Sequence, residues 1–90
     1  MSKHETFFLY DHTEETKTRF VSFMGESSRH DLAITTTTNF YGKKMVVNLQ
    51  NNRSAIIGPD DLKEEGYLEY AFGVTEEEAQ ELLEFLYTTL

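Results

Sequence analysis

Residues 74–90, VTEEEAQELLEFLYTTL, decide the fold class of this chain. Thr75 is placed as an N-cap, and Glu78 three residues later completes a capping box, so a helix is predicted to begin here. Apolar side chains then recur at helical spacing, at Ala79, Leu82, Leu83, Leu86 and Leu90. A helix with one apolar stripe is usually buried against a sheet or another helix, and the chain before it favours a sheet.

Most of the chain before residue 59 is rich in β-branched and aromatic residues, which are typical of strands. Five strands are predicted, at residues 6–10, 17–24, 30–38, 44–50 and 53–57, with the first two forming a hairpin. In the fourth strand Met45, Val47 and Leu49 point to one side, while Lys44, Val46, Asn48 and Gln50 point to the other. This alternation predicts a strand with one face in the core. Asn51 and Asn52 then form a two-residue hairpin turn, because Asn tolerates the left-handed conformation.

The pattern changes at Pro59, which cannot donate to a sheet ladder. Residues 60–65 are predicted to form a short helical turn that ends at Gly66. Residues 67–72 fit either a short helix or an extended segment, and the helix is favoured because Leu68, Ala71 and Phe72 share a face. The chain is therefore predicted to be one α+β domain over residues 1–90, an antiparallel sheet of about five strands with a short helical segment and a C-terminal helix packed on one face.

Charge is divided unevenly along the chain. Residues 1–58 carry seven Lys and Arg against six Asp and Glu, whereas residues 59–90 carry one lysine against ten acids. An acidic protein of this kind is not expected to bind nucleic acid or an anionic membrane, because both need clustered positive charge. The acidic third is either a solvated helix face or a docking surface for a basic partner.

Cysteine is absent, so disulfides and thiolate chemistry are excluded. The first 15 residues lack the apolar run of a signal peptide, and no stretch approaches the roughly 20 apolar residues of a membrane span. A soluble cytoplasmic protein is the expectation.

The stretch ESSRHD at residues 26–31 places serine, histidine and aspartate close together, but it is interpreted as a connection between strands. Neighbouring side chains on a strand point to opposite faces, so His30 and Asp31 are expected to diverge, which a catalytic triad does not allow. His4, His12 and His30 have no helical i, i+4 spacing, and no phosphate-binding glycine motif is present. No catalytic residue, metal site or cofactor is predicted.

The segments FFLYD, ETKTRFVSFMGE, RHDLAI, FYGK and AIIGPDDLKEEGYLEYAF occur in this order. Together they resemble a family of small uncharacterised proteins from Bacillus- and Staphylococcus-type bacteria, classed as a domain of unknown function. The resemblance covers nearly the whole chain. It implies a bacterial cytosolic setting and transfers no functional residues.

The favoured hypothesis is a non-enzymatic protein-interaction or regulatory module with an unidentified protein partner. A homodimer, in which the partner is a second copy of the chain, is one arrangement that this hypothesis allows. The expected interaction surface comprises Glu76, Glu77, Glu81, Tyr41 and Tyr70. The alternative is a small enzyme or ligand-binding protein with a pocket between sheet and helix. There the anionic group of a metabolite would be contacted by Arg19, Arg29 or Arg53.

Overall fold

The computed structural model describes residues 5–26 and 28–90, which form an α+β fold. Four antiparallel strands lie in the order β1-β2-β3-β4, with one turn of 3-10 helix after β2 and another after β4. The strands are β1 Lys17–Met24, β2 Arg29–Thr36, β3 Lys44–Asn48 and β4 Arg53–Ile57, and the helices are α1 Tyr67–Phe72 and α2 Glu76–Thr89.

The predicted first strand is wrong. Residues 6–10 have no regular secondary structure, and their four apolar side chains are 67–99% exposed. Strand propensity measures how well a residue packs on a pleated surface beside a neighbouring strand, and these residues have no such neighbour in the structure. The sheet therefore has four strands, and β1 is its edge.

The prediction of a C-terminal helix packed on one face of the sheet is confirmed. In α2, Thr75 Oγ1 accepts a hydrogen bond from the Glu78 amide at 3.2 Å, and the Thr75 amide donates to Glu78 Oε1 at 3.0 Å. The stripe residues Ala79, Leu82 and Leu86 are buried. The segment 67–72 is helical, as favoured, and ends at Gly73 with φ of 62°.

The helices cover the sheet face that carries Leu32, Ile34 and Ile57. In β3 this face receives Val46 and Asn48, so the more apolar alternate set points away from the helices. The register of the sheet explains why Val46 is buried, because Val46 pairs with Ile34 of β2 and with Ala55 of β4 on the face that the helices cover.

The prediction of a two-residue turn at Asn51 and Asn52 is wrong. The loop between β3 and β4 spans four residues, 49–52, and only Asn52 among them has a positive φ, 63°. Among the residues that the structure describes, neither helix has the length and apolar character that crossing a bilayer requires.

Candidate functional site

The connection between β1 and β2 sends its polar side chains to opposite faces of the sheet, as predicted. His30 points to the helices, and Asp31 points to the face that they leave uncovered. The Ser28 hydroxyl donates to Glu78 Oε2 at 2.9 Å. Ser27 lies outside the described residues.

His30 is a buried link between the sheet and α2. Its side chain is only 5% exposed, and Nε2 lies 2.7 Å from Glu81 Oε1. Its ring also stacks on Phe23 with centroids 4.9 Å apart. Ser28 and His30 thus contact different carboxylates of α2, an arrangement unlike a serine nucleophile with its base.

Asp31 organises a small polar cluster on the opposite face. It accepts hydrogen bonds from the Ser22 hydroxyl at 2.6 Å, from Arg29 Nε at 3.2 Å, and from the Gln50 amide. The Ser22 hydroxyl bond contributes most to lowering the pKa of Asp31 below its usual value, and Arg29 and Gln50 lower it further. The carboxylate and Arg29 neutralise each other.

An acidic groove of about 1250 Å³ runs between the end of β1 and α2. Its floor contains Phe23 and Phe85, whose rings stack with centroids 4.9 Å apart. Neither Lys nor Arg occurs among its described lining residues. Five glutamates line the groove: Glu26, Glu76, Glu77, Glu81 and Glu84.

The second candidate surface is the open face, defined as the strand side chains that point away from the two helices. Phe20 and Met24 are its most prominent members, each 74% exposed. Its charged side chains are Arg29 and Asp31. They form an ion pair, in which Arg29 Nη2 lies 3.1 Å from Asp31 Oδ1. Its apolar members are Phe20, Met24, Ala33, Met45, Val47 and Ile56.

A family model described as SAV0927-like matches residues 9–88. The chain belongs to the SAV0927-like family. This is a small family of uncharacterised proteins, so the resemblance to an uncharacterised family is confirmed. No curated protein matches the chain.

In this SAV0927-like chain the three arginines of the predicted anion site lie apart. Arg29 is on the open face, whereas Arg19 of β1 and Arg53 of β4 belong to the opposite face, at the two edges of the sheet. The Arg19 guanidinium lies 5.7 Å from the Phe85 ring centroid, and Arg53 Nη1 donates to the Tyr70 carbonyl at 3.2 Å. Two sheet edges are separated by about 14 Å, so no single anion contacts all three side chains.

The residues of the predicted interaction surface are only partly brought together. Glu76, Glu77 and Glu81 line the acidic groove, and Glu81 also contacts His30. Tyr70 is 85% exposed on α1 and lines a separate depression beside Arg53, while Tyr41 is 98% exposed in the turn before β3.

Sequence reasoning missed the open face and the aromatic floor of the groove. The strand alternation could have indicated that Phe20 is exposed, because its neighbours Val21 and Phe23 both pack against the core. Residues 5–26 and 28–90 contain no cluster of three or more His, Asp or Glu side chains suited to holding a metal ion, and His4 lies outside these residues.

Proposed function

We propose that this protein is a non-enzymatic protein-interaction module whose acidic groove binds a partner segment that carries both basic and apolar side chains. The observation that carries the proposal is the composition of the groove, in which five glutamates surround the stacked rings of Phe23 and Phe85. Carboxylates attract a basic segment and orient its approach, while burial of apolar side chains on the aromatic floor contributes affinity.

Part of the groove is held in shape before any partner arrives. Glu81 is fixed by its contact with buried His30, and Phe23 is stacked between His30 and Phe85. A wall that is already ordered loses less conformational entropy on binding. The same contacts support a binding role over a catalytic one, because the histidine of the connection is engaged in positioning α2.

The segregated charge also supports this function. The ten acids of residues 59–90 belong to the helical layer and its connections, whereas the rest of the chain is close to neutral. The proposal includes a cytoplasmic setting. The absence of cysteine is consistent with it, because disulfides are rare in that compartment.

The test is quantitative capture of partners from a lysate of the source organism by three forms of the protein. Wild type is compared with a groove variant, Glu76→Gln, Glu77→Gln and Glu84→Gln, and with a control variant, Glu64→Gln, Glu65→Gln and Glu69→Gln. Both variants remove the same charge from the helical layer, but only the first alters the groove.

Partners of the groove should be captured by wild type and control and lost about tenfold from the groove variant, since each exposed ion pair contributes roughly 0.5 kcal/mol. Their binding should weaken as salt rises, because opposite charges are screened. Equal loss from both variants would show a general charge effect and contradict the proposed role of the groove.

A further inference from the structure

We propose that two copies of this chain associate through their open faces, with the apolar arms of both copies packed between the two sheets. The apolar arm is defined as residues 6–10, TFFLY. This interface lies mostly on the opposite side of the sheet from the acidic groove, with which it shares Met24 at the end of β1, and it goes beyond the function proposed for the groove.

The apolar arm presents four consecutive apolar side chains to solvent. Phe7, Phe8, Leu9 and Tyr10 are 91%, 67%, 99% and 76% exposed. In an extended segment successive side chains point to opposite sides, so a segment covered on one side alternates apolar with polar residues. An uninterrupted apolar run is typical of a segment covered on both sides. Folding back onto its own sheet would cover only one side of the arm, whereas a position between two sheets covers both.

The open face suits a second copy of this chain because it is electrically neutral. Its charges, Arg29 and Asp31, form an ion pair, and the apolar arm contains no charged residue. The formal net charge of −8 opposes self-association in general. The helices, and with them the four groove glutamates of α2, lie on the other face of the sheet, so two open faces meet with most of the like charges far apart.

The dimensions of the arm and the sheet agree. Five extended residues span about 17 Å, which is also the length of the five-residue strands β3 and β4. A four-stranded face of that length covers roughly 300–400 Å², less than the roughly 800 Å² per partner of a stable interface. The three aromatics of the arm add roughly 450–750 Å², which brings each copy to the required area.

The base of the arm is attached next to the sheet. Glu14 Oε2 accepts hydrogen bonds from the Thr37 hydroxyl at 2.8 Å and from the Thr38 amide at 3.3 Å, just beyond the end of β2. Residues 6–10 therefore leave the domain near the end of the sheet where β1 begins and β2 ends.

The experiment measures the mass of the full chain by analytical ultracentrifugation from micromolar to millimolar concentration. Wild type is compared with Phe7→Ser/Phe8→Ser in the arm, Phe20→Ser on the open face, and the control Tyr70→Ser, which removes an exposed aromatic from the helical layer. Circular dichroism confirms that each variant is folded, which is expected because all four side chains are largely exposed.

Wild type and Tyr70→Ser should form dimers with the same Kd. The arm and open-face variants should raise that Kd at least roughly 100-fold, because each substitution acts twice in a symmetric dimer. A wild type that remains monomeric at millimolar concentration would overturn the proposal. Equal weakening by Tyr70→Ser would overturn it as well, since that residue lies outside the interface.

A second measurement distinguishes an arm that contacts the sheet of the other copy from an arm that folds back onto its own sheet. In a mixture of isotope-labelled and unlabelled protein, isotope-filtered NMR should detect contacts from Phe7 and Phe8 of one copy to Val47 of the other. Contacts found only within one copy would refute the packing of the arm between two sheets. Rising salt should weaken partner binding in the acidic groove, which depends on opposite charges, but it should not weaken this dimer, whose interface is neutral, so the two proposals fail independently.

Discussion

Replacing His30 with phenylalanine should lower the free energy of unfolding by about 1–2 kcal/mol and leave the fold intact. The imidazole is buried, stacks on Phe23, and places Nε2 2.7 Å from Glu81 Oε1. Phenylalanine keeps an aromatic ring of similar size in this position and removes the polar contact. The substitution thus separates the packing contribution of the side chain from its hydrogen bond.

The magnitude follows from three contributions. A hydrogen bond to a charged group contributes roughly 1.5–3 kcal/mol, and its loss is the main cost. The retained aromatic stacking, worth about 0.5–1.5 kcal/mol, is not lost. The Glu81 side chain is 18% exposed, so it can turn towards water when the imidazole is absent, and this reduces the net cost to about 1–2 kcal/mol.

The assay is urea unfolding at pH 7, followed by circular dichroism, for His30→Phe, Glu81→Gln and the double variant. The cycle should give a coupling energy of about 1–2 kcal/mol, since the two residues are in direct contact. The melting temperature of His30→Phe should fall by roughly 4–16 °C for a domain of this size. A coupling energy near zero would refute the reasoning, because it would mean that the contact at 2.7 Å does not link β2 to α2.

Three further predictions concern the helix, the core and the effect of acid. Thr75→Ala should lower the free energy of unfolding by about 1 kcal/mol in urea, because the capping bond to the Glu78 amide is lost, and Thr75→Ser should restore most of it. Leu82→Ala, at a fully buried position, should cost about 2–5 kcal/mol in the same assay, since it leaves a cavity between α2 and the sheet. Acid titration should reduce stability progressively below about pH 4. The pKa of Glu78 is lowered chiefly by the Thr75 amide, and that of Asp31 chiefly by the Ser22 hydroxyl. A carboxyl with a lowered folded-state pKa stabilises the fold above its unfolded pKa and loses that contribution as pH falls through the folded value. A stability profile that stays flat from pH 6 to pH 2 would contradict this assignment.

Local patterns in the sequence predicted local structure well. The capping box at Thr75 and the apolar spacing of α2 depend on residues within four positions of each other, so the helix could be located to within a residue. The opposite directions of His30 and Asp31 followed from strand geometry alone. The four strands after residue 16 were also located, with differences of one or two residues at their ends.

The acidic surface and the anion site depended on distances between elements, and there the sequence was a poorer guide. Three glutamates that share the groove are close in the chain: Glu76, Glu77 and Glu81. The aromatic floor comes partly from β1, about 50 residues earlier in the chain. The three arginines are separated because the sheet order places β1 and β4 at opposite edges.

The sequence by itself determined the α+β class, the capped amphipathic helix and the division of charge, because each is encoded by residues that are neighbours in the chain. Only the tertiary structure decided which face of β3 is buried and whether residues 6–10 form a strand. Val46 is covered because it is in register with Ile34, and the arm is exposed because no strand pairs with it. Both outcomes depend on contacts between distant segments, which alternation and propensity do not specify.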